Sequence, residues 1–171
     1  MLGLPRGEVF LVPWISEWEK EFLLEKRRIQ TKIESYPVKI HHIGSTAVKY
    51  LSSKPIIDIA IEIEQFRDGE KCISALESLG YTYHGTNILP DRHYFTKGEP
   101  RTHQIHMYQT GNEYLIDQLD FRDYLRNNSQ VKNEYETLKI ELSKINKTNK
   151  HKYAEEKTAF VQSILRKINH P

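Results

Sequence analysis

The chain has 171 residues, 38% hydrophobic and 28% charged, a length and mix that suit one globular domain with its own core, and the lack of any long apolar run excludes a membrane-spanning helix. Its single cysteine, Cys72, excludes an internal disulfide and a thiolate-rich metal site, and the opening MLGLPRGEVF has no basic-then-apolar leader pattern, so a cytoplasmic location is expected. The net charge of +2 is uneven, with 11 Lys/Arg against 6 Asp/Glu in residues 122–171 and 14 against 17 before them, but the lysines spread around helices without interleaved aromatics, which reads as solvated surface and gives no strong nucleic-acid signal.

The first predicted element opens at Ser16-Glu17-Trp18-Glu19, a capping-box pattern, and Ile15, Trp18, Phe22, Ile29 and Ile33 follow on one helical stripe. A strand over 38–43, a helical turn or short helix near 45–52 and a strand over 55–63 come next. A helix over about 69–79 stops at Gly80, a suitable residue for a helix end, and Tyr81-Thr82-Tyr83 reads as another strand. Cys72 falls on that helix with Ile73, Leu76 and Leu79 and is expected to be a packed thiol. Gly85, Pro90, Gly98 and Pro100 mark 84–100 as loop-rich around a short strand Arg92–Thr96, and as the candidate mobile edge.

A strand over 101–109 then gives way to three helices, 112–126, 129–146 and 150–169. Val131, Tyr135, Leu138, Leu142 and Ile145 make one apolar stripe; Tyr153, Phe160, Val161, Ile164, Leu165 and Ile168 make another. The expected architecture is a mixed-sheet α/β (α+β) fold in a single domain, with an α/β core over 1–110 and a helical cap over 111–171.

The residues that point to chemistry concentrate in HHIGSTAVKYLSSKPIIDIAIEIE, His41 to Glu64. Gly44 permits a tight turn, and Ser45 or Thr46 can cap a helical turn whose free N–H groups face an anion. Asp58 interrupts a short β-branched run, so its carboxylate lies on a buried or half-buried strand, where a lone charge costs roughly several kcal/mol unless it is paired. Strand alternation sets Thr102, Gln104 and His106 on one face and Arg101, His103 and Ile105 on the other. His103 and His106 therefore cannot share an ion, and Gln104 or His106 is the candidate partner of Asp58. Lys54 is a candidate phosphate counter-ion, and Arg92, Lys97 and Arg101 surround the loop-rich segment where an anion could be clamped. His41, His42 and His84 have no zinc-site spacing.

IGSTAV, KPIIDI and FRDYLR (Phe121–Arg126) together resemble the GrpB family, over nearly the whole chain from Pro13-Trp14 and Trp18 to Tyr153, Lys157 and Phe160. The resemblance implies the nucleotidyltransferase-like superfamily, in which a Gly-Ser turn is followed by an Asp-x-Asp/Glu strand. It implies a metal-dependent nucleotidyltransferase-like protein acting on an unknown acceptor, with a nucleoside triphosphate as substrate and Mg²⁺ as cofactor. Asp58 would be catalytic and the first metal ligand, and His106 would complete the catalytic pair, with Gln104 or His106 as further metal ligands. Gly44, Ser45, Thr46, Lys54, Arg92 and Arg122 would bind the phosphates or the nucleotide, while Asp123 anchors its helix.

The chain departs from the superfamily pattern at Ala60, where the second carboxylate belongs; Glu62 lies about 13 Å along the strand from Asp58, too far to share its ion. A second reading is therefore a binding module that kept the phosphate turn and lost catalysis. Some GrpB-like domains are joined to a coenzyme A biosynthetic kinase, which by analogy makes a nucleotide-containing coenzyme one candidate ligand. A protein-interaction role for the helical cap is the third reading, carried by the charge asymmetry alone.

Overall fold

Isoleucine at every second position of Ile57–Ile63 builds one strand of a five-stranded mixed sheet, in a computed structural model that describes residues 1–169. The strands are β1 (Val38–Ile43), β2 (Ile57–Ile63), β3 (Tyr81–Tyr83), β4 (Arg92–Lys97) and β5 (His103–Gln109), in the order β1-β2-β5-β4-β3. β2 pairs parallel with β5, and the other neighbours are antiparallel.

The register assigns the two faces different tasks. Ile57, Ile59, Ile61 and Ile63 share one face with Ile105 and Met107, and all are buried. Helix α1 (Glu17–Lys32) lays Trp18, Phe22 and Ile29 on that face, and Ile33, Cys72 and Leu76 complete the cluster. At about 25 cal/mol per Å² of apolar area, this cluster is the main source of folding free energy on that side. The opposite face carries Asp58, Ala60 and Glu62 beside Gln104, His106 and Tyr108, and α4 (Glu113–Asn127), α5 (Ser129–Ile145) and α6 (Lys150–Asn169) cover part of it.

Most element boundaries fall within two residues of the sequence reading. The capping box does not form: Ser16 has helical backbone angles (φ −64°, ψ −20°), and its hydroxyl caps nothing. Asn112 and Asn128 cap instead, each with extended backbone and a side chain accepting from N–H groups of the following turn, and the Asn149 side chain accepts from the Lys152 N–H at 3.0 Å at the start of α6. The helix expected over 69–79 divides into α2 (Asp68–Lys71) and α3 (Ile73–Glu77), because the Cys72 N–H bonds back three residues to Gly69 rather than four. Ile145 is 73% exposed at the end of α5 and does not belong to the buried stripe. No helix among the described residues is long and apolar enough to cross a membrane.

Candidate functional site

The polar face of the sheet, the turn after β1 and the helices of the cap enclose a pocket of about 480 Å³, within the usual range for small-molecule sites. Its floor is Asp58, half-buried on β2. Gly44 comes so close that a Cβ there would lie 2.8 Å from Asp58 Oδ2, and its φ of 72° is one that side chains disfavour. The turn and the carboxylate are therefore one structural unit.

Asp58 is held by its neighbours on β5. Gln104 Nε2 donates to Asp58 Oδ1 at 2.8 Å, and His106 Nε2 reaches the same oxygen at 3.4 Å. The orientation of both donors is fixed from behind. Arg92 Nη1, which can only donate, lies 3.0 Å from His106 Nδ1, so Nδ1 accepts and Nε2 carries the proton of the neutral ring. Arg101 Nη1 donates to Gln104 Oε1 at 3.3 Å, and the Tyr94 hydroxyl donates to it as well, which turns the Gln104 amide nitrogen toward Asp58. Burial pushes the Asp58 carboxyl up, but the His106 hydrogen bond, the charge of Lys54 and the Gln104 hydrogen bond outweigh it and hold the group below its ordinary value. Asp58 is ionised at neutral pH.

Around this single carboxylate stand three ammonium groups, Lys54 before β2, Lys139 on α5 and Lys157 on α6. Lys139 and Lys157 follow Tyr135 and Tyr153 by one helical turn and lie over those rings at 4.9 and 5.0 Å, and Lys54 lies 5.6 Å over the Tyr153 ring. Lys139 also donates to the Ser52 carbonyl. Burial, then repulsion from Lys157, brings Lys54 down to about 8 despite the opposing pull of Asp58. Burial and the charge of Lys157 lower Lys139 well below its ordinary value, and burial lowers Lys157. Asp58 is the one acid among the described residues lining the pocket. The buried Ser53 hydroxyl also lines it, and its oxygen has no hydrogen-bond partner among the described residues. A buried unpaired hydroxyl costs about 1–3 kcal/mol. Along the described wall, Lys54, Arg122, Lys139 and Lys157 outnumber the one carboxylate of Asp58.

The structure brings Gly44, Ser45, Lys54, Asp58, Gln104, His106 and Arg122 to the pocket wall. Thr46 also reaches it, but its hydroxyl is spent inward, donating to Ile56 O at 3.3 Å and accepting from His42 Nε2 at 3.0 Å, so its side chain pins the turn. Arg92 is not among the described residues of the pocket wall: it stacks on Tyr94 at 4.5 Å and buttresses His106. Arg122 donates to the His42 carbonyl at 2.9 Å and to the adjacent Asp123 at 2.8 Å, so it ties α4 to β1 as well as facing the pocket. Arg126 ties the same helix to the Ala47 carbonyl through two nitrogens, at 3.0 and 2.7 Å. Lys97 pairs with Glu25 on the opposite face of the sheet.

The donors do not fit a resident Mg²⁺. Gln104 and His106 both present hydrogens to Asp58 Oδ1 and offer no lone pair to a cation there. Ala60 is fully buried in an apolar cluster with Ile43, Tyr108 and Leu115, a setting that disfavours a second charge. Glu62 is engaged by His41 at 3.2 Å and Lys39 at 3.8 Å along β1.

Lys139 went unread in the sequence and Lys157 was noted there only as part of the family resemblance, although each interrupts an apolar stripe one turn after a tyrosine. A cation at such a position must snorkel or face a pocket, and here part of the basic surplus of the last third turns inward.

A family model described as GrpB protein matches residues 8–167. The chain is 35% identical over 175 residues to Glutamate-rich protein GrpB of Alkalihalophilus pseudofirmus, covering 98% of this chain and 100% of that one. It is 33% identical over 160 residues to UPF0157 protein YqkA of Bacillus subtilis, covering 93% of this chain and 47% of the relative, so it spans about half the length of that protein. The crystal structure of conserved protein GrpB from Enterococcus faecalis superposes with a TM-score of 0.86 at 32% identity, over 92% of this chain and 96% of that one. Cid1 poly(U) polymerase, solved with MgGTP bound, superposes with a TM-score of 0.53 at 11% identity, over 77% of this chain and 43% of its own, a likeness of fold alone.

Proposed function

The chain belongs to the GrpB family, and from that membership and the cation-lined pocket we propose that it binds a phosphate-bearing nucleotide, with a nucleoside triphosphate as the first candidate. Lys54, Lys139 and Lys157 neutralise the phosphates, Phe121, Leu125 and Val161 offer an apolar wall for the base, and Asp58 accepts a hydrogen bond from a ligand hydroxyl. The observation that carries this reading is the convergence of three lysines on a pocket with one carboxylate. They depress one another's charge, and a polyanion would relieve that repulsion. Catalytic nucleotidyl transfer is supported by fold likeness, whereas the apolar setting of Ala60 and the saturated Oδ1 of Asp58 support binding without a resident metal.

The test is calorimetric titration of nucleoside tri-, di- and monophosphates and coenzyme A precursors into the native chain, Lys157→Met and Asp58→Asn. Triphosphates should bind most tightly, and Lys157→Met should weaken them at least about tenfold, as loss of one charge-assisted contact implies. Asp58→Asn keeps one acceptor oxygen and should weaken binding less. A panel without a binder, or binding indifferent to Lys157→Met, would overturn the proposal.

A further inference from the structure

On the sheet face away from the pocket, Glu21 and Glu25 project from α1 one helical turn apart, and His103 rises toward them from the start of β5. One ligand atom from each lies within 4.8 Å of the others. Glu25 is fully buried and His103 is 3% exposed. From this geometry we infer that Glu21, Glu25 and His103 form a binding site for a divalent transition metal, zinc(II) by the chemistry of its donors.

The two nitrogens of His103 have different surroundings. Thr102 Oγ1 donates to the Lys97 carbonyl at 3.2 Å, so it accepts from His103 Nδ1 at 2.9 Å and the ring proton resides there. Nε2 of the neutral ring is left with a lone pair. It points at Glu21 Oε1 from 3.3 Å, and it has no hydrogen-bond partner among the described residues. A buried imidazole lone pair facing a carboxylate is an unfavourable arrangement that a cation between them reverses. The outer hydrogen bond of His103, from Nδ1 through a hydroxyl to a backbone carbonyl, is of the kind that orients metal-binding histidines. One imidazole and two carboxylates suit zinc(II), with a position left for water.

Glu25 is also oriented, by Tyr81 at 2.9 Å, Lys97 at 2.8 Å and Arg28 at 3.2 Å. Lys97 and Arg28 thus compete with a metal for Glu25. The Lys97 side chain is 22% exposed and the Glu21 side chain 31% exposed, which gives the ammonium a way out and the ion a way in. The site is independent of the pocket, because His103 and Asp58 project from opposite faces of the sheet.

The experiment is titration of the full chain, stripped with EDTA, with Co²⁺ followed by its visible d–d absorption, and then displacement by Zn²⁺. One Co²⁺ per chain should bind and be displaced by Zn²⁺. Glu21→Gln, on the more exposed ligand, should lower affinity at least about tenfold with its melting temperature in the absence of metal retained. Lys97→Met should raise affinity by removing the competing ammonium, and Asp58→Asn should leave it unchanged. Absence of stoichiometric binding, binding indifferent to Glu21→Gln, or binding lost in Asp58→Asn would each overturn the inference.

Discussion

At Gly44 the backbone angle and the nearness of Asp58 impose the same choice of residue. Gly44→Ala would strain a φ of 72° and push a Cβ to 2.8 Å from Asp58 Oδ2, so urea unfolding should show a loss of about 1–3 kcal/mol, with nucleotide binding weakened as well. A variant of native stability and affinity would show that turn and carboxylate are not coupled. The pairing of Gly44 with Asp58 was legible in the sequence because a tight turn and a carboxylate in an apolar strand are both local signals. The direction of the Gln104 amide and the tautomer of His106 were not. They depend on Arg101, Tyr94 and Arg92, which only strand pairing and the chain reversal between β4 and β5 bring near. Arg92, read as a ligand, packs behind His106 instead of lining the pocket.

Among the elements, α5 and α6 carry a conflict between stability and the proposed binding. Lys157 lies on the face of α6 that packs inward, and burial works against its charge. Lys157→Met fills similar space without a charge and should stabilise the fold by about 1 kcal/mol, or about 2–4 °C in melting temperature, while it weakens nucleotide binding. Scanning calorimetry of the ligand-free variant checks the first half; a lowered melting temperature would mean that Lys157 anchors the cap. Element positions followed from apolar periodicity, which is why β1, β4 and the three C-terminal helices stand close to the expected spans. The exceptions have local causes that periodicity does not record, such as the helical backbone of Ser16 and the end of α5 that leaves Ile145 exposed. The inward lysines escaped because counting charges around a helix treats each as solvated, whereas their packing depends on how the cap docks on the sheet.

For the molecule as a whole, the lysine cluster links protonation and stability to the proposed ligand. Lys54 titrates near 8 in the folded protein against an ordinary 10.5, so between those values the unfolded chain holds more protons. Stability contributed by this group must therefore rise as the pH rises from about 8 to 10.5, and Lys54→Met should flatten that rise in denaturant unfolding measured across the window. A bound polyanion favours the charged amine. Triphosphate binding just above pH 8 should then take up protons, seen as a binding enthalpy that changes with the ionisation enthalpy of the buffer; an enthalpy independent of buffer would contradict the coupling. The nucleotidyltransferase-like sheet was expected from the family resemblance carried by IGSTAV, KPIIDI and FRDYLR, and the likeness to Cid1 agrees with it at the level of fold. What the fold does not transmit is the charge of the pocket, which the chain sets with lysines from its cap where Ala60 forgoes a second carboxylate; on the proposed reading those lysines meet the phosphates.

That reading is tested most directly by titrating a nucleoside triphosphate into the native chain twice, once in EDTA and once in excess Mg²⁺. Binding that is as tight or tighter in EDTA is the predicted result, because on the proposed reading the lysines compete with Mg²⁺ for the same phosphate oxygens. Binding that appears only with Mg²⁺ would contradict the account and return Asp58 to the role of a metal ligand.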